Sequence, residues 1–189
     1  MSGEPIKVVL LVENSAAGAG SLRATFQRGS FPASEVIHAR TMAAAETLLG
    51  QREVDIILLD LQLPDARGLG AVRRARAAAP RVPLVVLGTD DDAMAAQALR
   101  EGAQDYLIKA EIEPRGLLRS LRYALERKTM QETLSMERER AQVTLNSLGD
   151  AVISIDTSGT VTFLNAVAEK MTGWPWQDAV GVPLTKSFM

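Results

Sequence analysis

A doubly wound α/β fold, a parallel sheet with helices on both faces, follows from three observations on the sequence. Short, uniformly apolar runs recur between residues 6 and 109, segments with helical spacing alternate with them, and several of the runs end in a polar or charged residue. The alternation of strand and helix occurs five times, which calls for right-handed crossovers and a parallel sheet. The clearest run is Val54-Asp55-Ile56-Ile57-Leu58-Leu59-Asp60-Leu61-Gln62-Leu63-Pro64. Its apolar centre, Ile56 to Leu59, is too short for an independent helix and too uniform for a half-exposed strand, so it reads as a strand buried on both faces. Asp60 ends that run. In open α/β sheets the carboxyl ends of the strands are where ligands bind, so this carboxylate belongs at the rim of a crevice. A single Asp after a strand serves equally well as a helix cap, and the other strand ends decide between the two.

In chain order, Ile6 to Val12 is a buried strand that runs into Glu13-Asn14-Ser15. A Gly- and Ala-rich loop leads to a first helix carrying Leu22 and Phe26. Glu35 to His38 is a short strand, and Met42 to Leu49 has helical spacing with Gly50 as its stop signal. After the strand to Asp60, residues Asp65 to Gly70 make a loop. Leu69, Val72, Ala75 and Ala79 then form a helix closed by Pro80 and Pro83. Leu84 to Leu87 is a fourth strand, with Gly88-Thr89 at its end. Met94 to Arg100 is a helix followed by Gly102, and Gln104 to Ile108 is a fifth strand ending in Lys109.

Composition bounds the function. The chain has 189 residues, enough for one standard domain and part of a second. With 47% hydrophobic and 23% charged residues it can bury an ordinary core. A net charge of −2 gives no basic face for nucleic acid. The absence of Cys excludes disulfides and thiolate metal sites. No signal-peptide pattern opens the chain, and no apolar run reaches the roughly 20 residues that span a bilayer. The expectation is a cytoplasmic protein without a membrane segment.

The strand ends collect Glu13, Asn14, Asp60, Gly88, Thr89 and Lys109 on one edge of the sheet. Carboxylate and amide oxygens are hard ligands suited to Mg²⁺, while a hydroxyl and an ammonium suit phosphoryl oxygens. A carboxylate beside Mg²⁺ and a lysine is equipped to accept a phosphoryl group. The constellation reads as an aspartyl-phosphate switch.

Residues 6 to about 127 resemble a response-regulator receiver domain. The carriers are Val8-Val9-Leu10-Leu11-Val12-Glu13-Asn14, the segment Asp55 to Asp65 around Asp60, and Gly102-Ala103-Gln104-Asp105-Tyr106-Leu107-Ile108-Lys109. The resemblance implies a flavodoxin-like five-stranded sheet of order 2-1-3-4-5 in a domain spanning 1–127. It also implies Asp60 as phosphoacceptor, Lys109 as the phosphate-contacting lysine, Glu13, Asn14 and Asp60 as Mg²⁺ ligands, and Thr89 with Tyr106 as the switch pair. The partner it implies is a sensor histidine kinase or phosphotransfer protein. The chain itself is then no enzyme beyond its own phosphotransfer.

Three positions depart from the family pattern. Asn14 stands where a second acidic residue is usual, which removes a charge from the metal site. Gly88 follows Leu87 where the switch hydroxyl is expected, and Thr89 comes one place later. Ala110 replaces a proline often found after the lysine. Asn14 and Gly88 favour a rival reading, a pseudo-receiver that binds other proteins and takes no phosphate. A haloacid-dehalogenase-like hydrolase shares the Asp-after-strand logic, but it wants a second Asp two residues on, where Gln62 stands. His38 reads as a structural or exposed ring, not a phosphohistidine. Arg73, Arg74 and Arg76 read as the solvated face of a helix.

From Pro114 the pattern changes. Leu117, Leu118, Leu121, Ala124 and Leu125 make the apolar stripe of a helix on the sheet, and no Gly or Pro interrupts the chain from Glu126 to Leu148. In the linker 128–148, Met130, Leu134, Ala141 and Leu148 fall near heptad positions, while Glu137 and Thr144 weaken the seam. A parallel homodimer through Leu134, Ala141 and Leu148 is the expectation, with a solvated single helix as the alternative.

Residues 149–189 resemble the beginning of a PAS domain. The carriers run from Asn146 to Asp156, from Gly159 to Asn165, and from Ala168 to Trp174. Ala151 to Asp156 and Val161 to Leu164 read as a hairpin with a helix after it. The segment is shorter than a whole PAS domain of about 100 residues and two strands make no stable sheet alone, so it reads as an α+β fragment of a truncated chain with no assigned cofactor. Similarity to proteins of this arrangement implies, as an expectation, an output module that is either a histidine kinase or a cyclic-dinucleotide synthase or hydrolase, and nothing in the sequence distinguishes them.

Overall fold

The computed structural model describes residues 8–28, 35–147 and 149–186. The chain divides into two compact units, Met1–Met130 and Gln131–Met189. In the first, strands and helices alternate: β1 (Val8–Val12), α1 (Ala16–Arg28), β2 (Glu35–Ala39), α2 (Met42–Gln51), β3 (Ile56–Asp60), α3 (Leu69–Ala78), β4 (Leu84–Gly88), α4 (Asp92–Arg100), β5 (Asp105–Ile108) and α5 (Pro114–Ser147). The five strands are parallel in the order β2-β1-β3-β4-β5. Ile6, placed in the first strand by the sequence, lies outside the described residues, as does Leu148 of the linker seam.

The period of two in a strand divides the core into two layers. Leu10, Val12, Ile57, Leu59, Leu84 and Val86 face one side, where Met42 and Ala45 of α2, Ala71, Val72 and Ala75 of α3 and Ala98 of α4 pack on them. Val9, Leu11, Ile56, Leu58, Val85 and Leu87 face the other, under Ala19, Leu22 and Phe26 of α1 and Leu117, Leu121 and Ala124 of α5. Nearly every one of these strand side chains is wholly buried. Burying each such Leu, Ile or Val stabilises the fold by about 1.5–3 kcal/mol. A sheet covered on both faces leaves its strand ends as the place where polar groups can gather.

Side chains fix the loops at that edge. Asp91 caps α4 by accepting from the Met94 N–H at 2.9 Å. Both Asp65 oxygens accept N–H bonds from the first turn of α2, from Met42 and Ala43, each at 2.8 Å. The loop that follows Asp60 is thereby fastened to the neighbouring helix, and the partial positive charge of the helix start favours the carboxylate. The arginines of α3 are engaged, not merely solvated: Arg73 pairs with Glu101, Arg74 with Glu46 and Asp65, and Arg76 donates to the Val82 carbonyl.

Several boundaries differ from the sequence-based expectation, beginning with α1, which starts at Ala16 and takes in the Gly- and Ala-rich stretch read as a loop. Helix α2 runs through Gly50 to Gln51 and ends on extended Arg52, whose N–H donates to the Leu48 carbonyl. Gly50 therefore does not stop it, because an exposed helical glycine costs only about 1 kcal/mol and the turn closes without a left-handed residue. Helix α4 begins at Asp92, two residues earlier than the apolar spacing suggests, because Asp91 supplies the cap. Gln104 stays outside β5.

Helix α5 is continuous over 34 residues. From Thr129 to Thr144 every residue is exposed. In the second unit β6 (Ile153–Ile155) and β7 (Val161–Leu164) form the antiparallel hairpin, followed by α6 (Ala166–Thr172) and the single turn α7 (Trp176–Ala179). Strand β6 is shorter than Ala151 to Asp156, and Val152 bonds Asn165 outside it: the Val152 N–H donates to Asn165 Oδ1 and the Val152 carbonyl accepts from the Asn165 N–H. Buried Asn165 also caps α6 through the Ala168 N–H. Val161, Leu164, Ala168 and Ala179 form a small core. Among the described residues, no helix is long and apolar enough to cross a membrane.

Candidate functional site

Register places the site. Strands β1 and β3 are neighbours with Val12 opposite Leu59, so Glu13 and Asp60, the next residues of each, stand together at the carboxyl edge where the strand order reverses. Both are buried, Glu13 at 1% and Asp60 at 3% exposure. Lys109 follows β5, and its ammonium reaches both carboxylates, at 2.6 Å from Glu13 Oε2 and 3.1 Å from Asp60 Oδ2. Residues 96 positions apart in the chain are joined by this ion pair.

The other carboxylate oxygens are also held. Ser15 N–H donates to Glu13 Oε1 at 2.9 Å and Gln62 N–H to Asp60 Oδ1 at 3.1 Å. The backbone of Glu13 is pinned as well, its N–H on the Ala39 carbonyl and its own carbonyl 2.6 Å from His38 Nε2. His38 is thus structural, as expected, and it supports the site. Backbone donors on residues 15 and 62 carry no side-chain signature, so the sequence could not show them.

A cleft of about 550 Å³ opens beside Asp60, lined among others by Gly88, Thr89, Met94, Tyr106 and Lys109. The Tyr106 hydroxyl donates to the Thr89 carbonyl at 2.8 Å. Thr89 itself is exposed, and so is Asn14. Asp60, Thr89, Tyr106 and Lys109 are therefore brought to one cleft, with Glu13 joined through Lys109.

The model of the response regulator receiver domain family matches residues 9–122. The chain belongs to the response-regulator receiver family. The PAS fold model matches residues 139–188. The chain is 51% identical over 59 residues to the probable diguanylate cyclase DgcE of Escherichia coli, a span of 31% of this chain and 5% of that protein. It is 45% identical over 64 residues to the regulatory protein LuxO of Vibrio cholerae, 32% of this chain and 14% of that one. The chain thus spans a small part of these relatives' length. Among solved structures, the signal receiver domain of an HD domain-containing protein from Pseudomonas fluorescens Pf-5 is similar with TM-score 0.61 and 27% identity, covering 70% of this chain and 96% of that one.

In this receiver the acidic pair is split by its surroundings. Burial raises the Asp60 pKa above its ordinary value, against the hydrogen bonds from Lys109 and Gln62, and the charge on Glu13 adds to the rise. Burial pushes Glu13 the same way, but the bonds from Lys109 and Ser15 prevail and hold its carboxyl below the ordinary value. Burial acts to lower Lys109, yet its two carboxylate partners keep its pKa raised, so it stays an ammonium.

Among the described residues, no group of three or more His, Cys, Asp or Glu gathers as a metal site. The receiver offers Glu13 and Asp60 carboxylates, with the Asn14 amide next in the chain. Each carboxylate oxygen in use keeps a further lone pair, and hard oxygens of this kind fit Mg²⁺. The set fits with one carboxylate fewer than a three-acid site provides.

The stability of this receiver is expected to depend on pH through Asp60. A carboxyl whose folded-state pKa is raised favours folding fully only below its unfolded value, and the contribution is lost as pH rises through the folded value. Asp60→Asn keeps the Lys109–Glu13 pair and removes that loss. It should raise the melting midpoint at pH 7 by about 2–5 °C, with the gain vanishing in acid below the aspartate range, as followed by circular dichroism. An equal or lower midpoint at pH 7 contradicts this.

Proposed function

We propose that this receiver accepts a phosphoryl group on Asp60 from a sensor histidine kinase or phosphotransfer protein in the cytoplasm, and passes the change along α5 toward the PAS segment. The observation that carries the reading is the ammonium of Lys109 held on two buried carboxylates at the edge where β1 and β3 part. An Asp60 oxygen attacks the phosphorus and an O–P bond forms. The P–N bond of the donor phosphohistidine breaks, and the imidazole nitrogen leaves with the electron pair and takes a proton. Lys109 is placed to offset the charge that develops on the phosphoryl oxygens. Glu13, Asp60 and Asn14 would hold Mg²⁺, which when bound supplies further positive charge to those oxygens. A hydroxyl on the β4 side of the cleft, from Thr89 or Tyr106, completes the set that senses the group.

A second reading, a receiver that binds other proteins without phosphorylation, is favoured by Asn14 in place of an acid and by Gly88 in place of a hydroxyl residue. Intact mass separates the two. With acetyl phosphate and Mg²⁺ the chain should gain about 80 Da, the mass of one phosphoryl group, and Asp60→Asn should not. A parent chain without the adduct, at high donor and Mg²⁺, supports the second reading.

Transmission requires an element that both ends share, and α5 is the covalent path. Its exposed stretch carries Met130 at 71%, Leu134 at 59% and Val143 at 62% exposure, a cost that a second helix would remove. The reading is a parallel homodimer that buries Leu134 and Ala141 at seven-residue spacing. Leu134→Asp should convert a dimer to a monomer in light scattering with the receiver still folded. A parent chain that is already monomeric at high concentration contradicts the pairing.

A further inference from the structure

Gly88 closes β4 at the rim of the cleft, and the space its missing side chain leaves is filled from the next strand. A Cβ at residue 88 would overlap Oη and Cζ of Tyr106 and lie 2.8 Å from Cε2. Ring and side chain cannot share that position. The parallel register, with Val86 opposite Tyr106 and Gly88 opposite Ile108, sends the ring along the sheet toward the carboxyl edge. It is retained there by packing on the core under α4 and by the bond from its hydroxyl to the Thr89 carbonyl at 2.8 Å. Asp60 and Lys109 line the same cleft.

We propose that the Tyr106 phenol takes the place of a residue-88 hydroxyl and is the group on the β4 side of the cleft that donates to a phosphoryl group on Asp60. This rests on the phosphorylation reading above. The phenol has a single proton, now held by the Thr89 carbonyl. Phosphoryl oxygens are charged and therefore stronger acceptors than a carbonyl, so a group on Asp60 draws that proton away. The carbonyl released belongs to the segment Thr89 to Asp91 that starts and caps α4. Gly88 and Tyr106 are in this sense a matched pair: the glycine admits the ring, and the ring returns the hydroxyl. Burial, together with the nearby charges of Asp91 and Asp90, keeps the phenol protonated and able to donate.

The test is titration of the full chain with beryllofluoride in Mg²⁺, following the bound fluoride by fluorine NMR. Tyr106→Phe keeps the ring over Gly88 and removes the proton, and should weaken binding about tenfold or more, as the loss of a hydrogen bond to a charged group does. Tyr106→Ala should weaken it as well. Adding Gly88→Thr to Tyr106→Ala should recover affinity, since the hydroxyl then comes from β4 into the vacated space. Tyr106→Phe that binds as the parent does overturns the proposal while leaving Asp60 as the acceptor. A parent chain with no bound signal overturns the phosphorylation reading, and this proposal with it.

Discussion

Lys109 joins two carboxylates that burial alone would make costly. Glu13 and Asp60 are nearly inaccessible to solvent, and like charges taken from water beside one another disfavour ionisation of both. The ammonium, within 2.6 and 3.1 Å of the two, offsets part of that cost, and backbone N–H groups of Ser15 and Gln62 offset more. The compensation is unequal. Glu13 ends below its ordinary pKa and Asp60 above it, so one carboxylate is a settled anion and the other is the group whose charge the fold tolerates least.

The remaining architecture serves to bring these three side chains together. The three central strands β1, β3 and β4 contribute only apolar side chains before their last residues, so that two packed layers form and polar groups gather at the carboxyl edge. The order β2-β1-β3-β4-β5 sets Glu13 beside Asp60 and puts β5, with Lys109, two strands away from β3. Asp65 then anchors the loop after Asp60 to the start of α2, and His38 anchors the backbone of Glu13. The rim opposite is made by Gly88 and Tyr106, which share a volume that a single larger residue would otherwise occupy.

Much of this was legible in the sequence, for physical reasons that differ by element. Strands β3 and β4 declare themselves because a strand buried on both faces has no polar period, and Asp60 stands out because a carboxylate ends such a run. Resemblance to the receiver family supplied the strand order and the partnership of Asp60 with Lys109. Other features were hidden. Gly50 resembles a helix stop but is carried through, since one exposed glycine costs little in a helix already packed on its neighbours. The cap at Asp91 moved the start of α4 because hydrophobic spacing is blind to the first turn. His38 as a brace for Glu13, and the backbone donors at Ser15 and Gln62, depend on strand pairing and loop geometry that no local motif encodes. The occupation of Gly88's space by Tyr106 joins residues of two strands, and in the sequence it showed only as a missing hydroxyl.

The unequal titration of the acidic pair is the central claim, and carboxyl carbon-13 NMR across the acid range measures it directly. Asp60 should titrate above the ordinary aspartate value and Glu13 below the ordinary glutamate value, and Lys109→Met should move both upward, because each loses its ammonium partner while remaining buried. Two carboxyls that titrate at their ordinary values, or that do not respond to Lys109→Met, would contradict the account.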